Sequence, residues 1–237
     1  MRARWVQRLI LGVSLVLIAF VALQAYVVQP FFPAAPALEH TLTPQTQGAP
    51  QEAGSYDVLG RAVSRQEAEA FLETAEGRRL LAPEQGAVAV TPDLLHLGRR
   101  AFYEETFGNE VVASDVAGAL EGPINLWTMM RAILGLRGQP TTNLRIPLDR
   151  EVTIGGQTFP AGSALDTGLD VPAGSLIPLG IRAGIVQGRV QLGITCAMCH
   201  ATVDRQTGRI AEGAPNADLR IGLILAAASN SAPVLRK

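Results

Sequence analysis

The chain has 237 residues, with 20 Lys and Arg against 21 Asp and Glu and a formal net charge of −1, so it lacks the basic excess that draws a protein to nucleic acid. The basic residues are nineteen Arg and the single Lys237, which excludes a docking face built from a ring of lysines. Its two cysteines lie in one short window, which excludes disulfides between distant segments.

Arg2, Arg4 and Arg8 lead into an uncharged run from Leu9 to Val28, where only Ser14 and Gln24 break the apolar character. At about 1.5 Å per residue, the run matches the ~30 Å hydrocarbon core of a bilayer. The sequence predicts residues 1–8 as a cytoplasmic N-terminus and residues 9–28 as a single-pass transmembrane anchor. The three arginines stay inside and send the rest of the chain out. Trp5 and Tyr26 sit near its two ends, where aromatic rings favour the interface. Leu23-Gln24-Ala25 is a poor cleavage site and the apolar run is long, so the reading is an anchor rather than a cleaved signal peptide. An anchor and a signal peptide alike would export the domain C-terminal to them.

Residues 29–56 hold Pro30, Pro33, Pro36, Pro44 and Pro50. Proline removes backbone donors and favours extended chain, so this stretch reads as a linker, with His40 a solvated residue in it. Residues 57–237 form the exported domain. Ser64-Arg65-Gln66-Glu67 is a capping box, predicting a helix from Arg65 to about Glu76 with Gly77 as its stop. Thr91-Pro92-Asp93 starts a second helix, with Leu94, Leu95, Leu97, Ala101 and Phe102 at helical spacing and an end near Phe107-Gly108. A third helix is predicted over Ile124 to Leu136, between Gly122-Pro123 and Gly138. Val152 to Phe159 alternates around Gly155-Gly156, which signals a short β-hairpin. Between Pro160 and Gly193, frequent Gly and Pro predict loops and short extended pieces. Leu219 to Ala228 reads as helical.

Cys196-Ala197-Met198-Cys199-His200 has the spacing of c-type haem attachment. Two thiols must add to the two vinyl groups on one porphyrin edge, and the next residue must place an imidazole on the iron. Two intervening residues make one tight turn that does both. A redox dithiol needs a thioredoxin-like βαβ context, which is missing. A zinc site needs four ligands, whereas Cys196, Cys199 and His200 supply three at most.

On these residues the chain resembles the cytochrome c superfamily, over about Leu97 to Ala232. Gly98-Arg99-Arg100-Ala101-Phe102 resembles the Gly-x-x-x-Phe helix that precedes the motif in the family. Thr106-Phe107-Gly108-Asn109-Glu110 and Gly193 to Asp204 are similar to segments of a subgroup of exported bacterial cytochromes. The resemblance implies one covalent haem c on Cys196 and Cys199, with His200 as proximal iron ligand. It also implies that the Pro215 carbonyl in Ala214-Pro215-Asn216 orients the His200 ring. The family takes its second axial ligand from a downstream methionine, and neither Met nor His follows His200. The candidates are therefore upstream: Met129, Met130 and His96. Arg99, Arg100, Arg205, Arg209 and Arg220 are candidate donors to the haem propionates.

The fold expectation is a mainly α, cytochrome c-like haem domain with a small β-hairpin insertion, preceded by one N-terminal transmembrane helix. The functional expectation is a membrane-anchored periplasmic electron carrier of the bacterial inner membrane. Its partners would be redox proteins at the membrane and the lipid bilayer, with no nucleic acid. The alternative is a haem enzyme or subunit, peroxidase-like or another oxidoreductase, with an open sixth iron site. In that reading Val111 to Val190 shapes a pocket, Glu104, Glu105 and Glu110 are acid–base candidates, and the chain is a fragment of a longer multi-haem protein.

Overall fold

The computed structural model describes residues 2–28, 33, 52–186 and 188–230. Most of the predicted linker, including His40, lies outside the described residues. α1 spans Arg2–Val28. Its described large apolar side chains run from Ile10 to Val21 and are exposed. Among the described residues no helix is long and apolar enough to cross a membrane, which corrects the expected transmembrane helix.

The chain divides into two compact units, residues 40–102 and residues 1–39 with 103–237. In the smaller unit, β1 (Tyr56–Val58), β2 (Arg61–Val63) and β3 (Ala87–Ala89) form an antiparallel sheet in the order β2-β1-β3. α2 (Arg65–Glu73) starts on the predicted capping box. It ends earlier than expected, because Thr74 turns extended and its hydroxyl accepts the Gly77 amide at 3.0 Å, starting α3 (Ala75–Leu80). Gly77 is thus inside a helix rather than after one. A Cβ there would lie 2.1 Å from the Phe71 carbonyl oxygen, so only glycine lets the two helices meet. α4 (Pro92–Glu104) begins as predicted, with the Thr91 hydroxyl accepting the Leu94 amide. It stops at Glu104, because Phe107 and Gly108 both have positive φ and cannot continue a helix.

The larger unit opens with a π-helix (Val111–Val116) and α5 (Leu126–Gly135), the latter capped by Asn125. β4 (Arg145–Pro147) pairs with β7 (Ala164–Asp166), and the predicted hairpin forms as β5 (Val152–Ile154) and β6 (Gln157–Phe159). β8 (Ile181–Val186) and β9 (Arg189–Ile194) make a longer antiparallel pair. α6 (Ala197–His200) follows, then β10 (Ala201–Val203) paired with β11 (Ile210–Glu212), and α7 (Ile221–Ala226). One core joins α5, the sheets and α6 through Ile133, Leu144, Ile146, Leu169 and Met198, among others.

The expected mainly α fold is corrected to mixed α/β. The described residues are 37% helical and 22% strand, the strands lying in several small sheets. The largest departure is β8–β9, a six-residue antiparallel pair in the stretch predicted as loops and short extended pieces. Ile181 and Ala183 in β8, and Leu192 and Ile194 in β9, alternate with other residues, and this period of two puts them in the core that α5 shares.

Candidate functional site

The site is built on β9, which runs straight into Thr195 and Cys196. β8 covers one edge of β9, with Ile181 opposite Ile194 and Ala183 opposite Leu192. An open strand edge needs partners for its amides and carbonyls. Here side chains supply them. Asn109 accepts the Ile194 amide at 2.8 Å and donates to the Ile194 carbonyl at 2.6 Å. Ser114 accepts the Leu192 amide at 2.8 Å, and Gln191 donates to Asp115 at 2.8 Å. At Gly193 the approach is closer still: a Cβ would lie 2.5 Å from Thr106 Cγ2 and 2.9 Å from Glu110 Cγ. Thr106 donates to the Glu110 carboxylate, and this bond holds the Glu110 carboxyl below its ordinary range. Thr106–Glu110 and Gly193-Ile194-Thr195, both within segments that carry the family resemblance, are therefore in direct contact across 85 positions of chain.

α6 is a single turn. The Cys199 and His200 amides donate to the Cys196 carbonyl at 3.3 and 3.0 Å. Positions i, i+3 and i+4 share a side of a helix, so Cys196, Cys199 and His200 are exposed together, while Ala197 and Met198 are buried. Both thiols are free. Met198 is 3% exposed and sits in the core with Met129 and Ile133, on the side away from the imidazole. Thr195 donates its amide to Gly180 O at 2.9 Å. Gly180 has φ +75, and a Cβ there would lie 2.0 Å from the Met198 nitrogen. The turn therefore rests against backbone that only glycine permits.

The chain after His200 closes on the same turn. The Gly213 amide donates to His200 O at 2.7 Å and the Asn216 amide to Cys199 O at 2.9 Å. Ala214-Pro215-Asn216 is thus beside the motif. The Pro215 carbonyl accepts the Ala217 amide at 3.0 Å, which leaves its second lone pair. Asp170, 2% exposed, organises this region. Its carboxylate accepts the Val203 amide at 2.5 Å, the Thr202 hydroxyl at 2.7 Å and Asn216 Nδ2 at 3.4 Å. Burial pushes the Asp170 carboxyl up to about 6. Nothing in the sequence singles out Asp170 beyond its place between Leu169 and Val171. An acid between two apolar residues reads equally well as a loop residue.

No family model matches the chain, and neither a curated protein nor a solved structure matches it. The resemblance thus rests on the motif residues.

Those residues fit a covalent haem: two free thiols and an imidazole exposed on one side of one turn, with the turn anchored from beneath. Thr195 Oγ1, next to Cys196, is buried with no hydrogen-bond partner. The distal candidates are scattered. Met129 is 8% exposed and packed in the core, Met130 is half-buried one residue on, and both line an apolar cavity with Leu126, Leu134, Leu176 and Ile181. His96 is exposed on α4, in the smaller unit, as is Arg100 on the same helix, where Arg99 is half-buried. Arg205 is engaged by Asp218 and, at 3.1 Å, by Thr142. Arg209 and Arg220 are exposed. Glu104 is half-buried, its carbonyl accepting Arg182, and Glu105 is exposed. Among the described residues no three His, Cys, Asp or Glu side chains cluster to hold a metal ion. A haem iron needs one or two protein ligands, not three.

Proposed function

We propose that the chain is an exported c-type cytochrome that carries one haem on Cys196 and Cys199, with His200 as proximal ligand, and passes single electrons between partner proteins. The observation that carries this reading is the joint exposure of Cys196, Cys199 and His200 on α6, above buried Ala197 and Met198. Haem bound there supplies a ferrous–ferric one-electron couple. The chain's own part is placement. The Cys196 and Cys199 sulfurs fix one edge of the group. His200 offers a ring nitrogen to the metal, and the adjacent Pro215 carbonyl is the candidate acceptor for the other ring nitrogen. Asp170 and Asn216 hold the strand and loop that follow the imidazole. Within the unit that carries the motif, Met130 is the sixth-ligand candidate that reaches solvent, Met129 being packed in the core.

Haem is attached to such motifs outside the cytoplasm, so we place the domain there, in the periplasm. The exposed apolar side chains from Ile10 to Val21 on α1 support contact with bilayer lipid, since an apolar patch of that extent marks an interaction surface. Membrane fractionation tests this. A haem enzyme with an open sixth site is the second reading, favoured by the burial of Met129 and Met198. The deciding experiment is expression with the haem-attachment machinery, followed by an optical spectrum with and without carbon monoxide. An unchanged low-spin spectrum supports the carrier, and a shift on carbon monoxide supports the enzyme.

A further inference from the structure

The turn at Thr106–Asn109 carries a residue its backbone does not favour. The Asn109 amide donates to Thr106 O at 3.1 Å, and the two central residues, Phe107 and Gly108, have φ of 53° and 78°. Two positive φ values inside a four-residue turn are the type I′ pattern, which selects Asn-Gly, Asp-Gly or Gly-Gly. Gly108 fits. Phe107 is a bulky side chain in the left-handed region, where such residues are outliers. Packing does not compensate for this, because Phe107 is 80% exposed. An asparagine there would suit the turn and the solvent better.

The turn is also firmly held. Thr106 is buried against Gly193, and Asn109 makes both of its bonds to Ile194, two residues before Cys196. Val111 and Val112, just beyond, are exposed as well. An exposed apolar strip is thus fixed rigidly beside the strand that delivers the Cys pair. Residues held in such sparsely populated backbone regions cluster at functional positions.

We propose that Phe107 is a haem-contact residue, packing on the porphyrin held by Cys196 and Cys199 and shielding that side of it from water. The inference rests on the proposal that the chain carries haem. Val111 extends the same wall.

The test uses the full haem-loaded chain with 4-fluorophenylalanine at position 107, observed by fluorine NMR in the ferric and ferrous states. An aromatic ring against the iron-bearing plane should shift and broaden strongly in the paramagnetic ferric form and sharpen on reduction. Haem attached with the resonance unchanged between the two states would overturn the Phe107 inference alone. No haem attached would overturn the haem reading and this inference with it. A second variant, Phe107→Asn, separates contact from folding. It should raise the thermal stability of the haem-free chain, since Asn suits the turn, yet speed bleaching of the attached haem by peroxide several-fold. Equal bleaching rates in the two proteins would contradict the contact.

Discussion

Asn109→Ala tests how the motif is positioned. Asn109 replaces the missing neighbour strand of β9 with two hydrogen bonds, at 2.8 and 2.6 Å, to the Ile194 amide and carbonyl. Each such bond contributes roughly 1 kcal/mol net, and a buried partner left unmet costs about 1 kcal/mol or more. Ile194 is half-buried, so water recovers part of that second loss. The expected destabilisation is therefore about 2–3 kcal/mol, which lowers the midpoint of thermal unfolding by about 6–9 °C for a chain of this size. Asn109→Asp keeps the acceptor for the Ile194 amide but sets a carboxylate against the Ile194 carbonyl, so it should be no better than Ala. Ser114→Ala, which removes the acceptor for the Leu192 amide, should cost about half as much. Denaturant unfolding of the haem-loaded protein followed by circular dichroism gives the numbers. A change below about 0.5 kcal/mol for Asn109→Ala, the size of an ordinary surface substitution, would refute the claim that this side chain holds the strand edge.

Gly180→Ala should be among the most damaging single-methyl changes, because the added carbon meets the Met198 nitrogen at 2.0 Å and φ is +75. A loss of about 3 kcal/mol or more, with haem content falling in parallel, is expected from unfolding and absorbance together. Asp170 gives a pH signature. Its folded value of about 6 lies above the ordinary 3.8, so between these the folded chain holds a proton that the unfolded chain has released. Stability from this group is present below about 4 and is lost as pH rises towards 6. Unfolding at pH 4 to 7 should show a downward slope for the native chain, relative to Asp170→Asn, and parallel profiles would count against it. For the sixth ligand, Met130→Ala should open the reduced iron to carbon monoxide if the native spectrum is low-spin, whereas Met129→Ala should chiefly cost about 2–5 kcal/mol of core packing.

Local chemistry was legible where a few neighbouring residues decide it. The Ser64–Glu67 capping box, the Thr91 cap and the Gly155-Gly156 hairpin could each be read from the chain. So could the turn of the Cys-x-x-Cys-His window, since its spacing is that of one helical turn. What could not be read is non-local. β8 and β9 carry Gly184 and Gly193 among their apolar residues, with Gly188 between the strands, and a glycine-rich stretch reads as loop until its pairing partner is known. Gly193 is there because Thr106 and Glu110 pack against it, a reason 80 or more residues away. The π-helix likewise carries Ser114 to the Leu192 amide, a contact between residues 78 positions apart. Thr74 breaks the predicted helix because Gly77 must meet the Phe71 carbonyl. Asp170 belongs to the same class, since its role depends on Val203 and Asn216 arriving beside it.

Covalent haem attachment is tested most directly by the mass and absorbance of the chain purified after expression with the haem-attachment machinery. The expected result is one haem per chain, resistant to acid extraction, with Cys196 and Cys199 no longer alkylated, and loss of covalent haem in Cys196→Ser/Cys199→Ser. A chain that emerges without haem, with both thiols reactive, would contradict it.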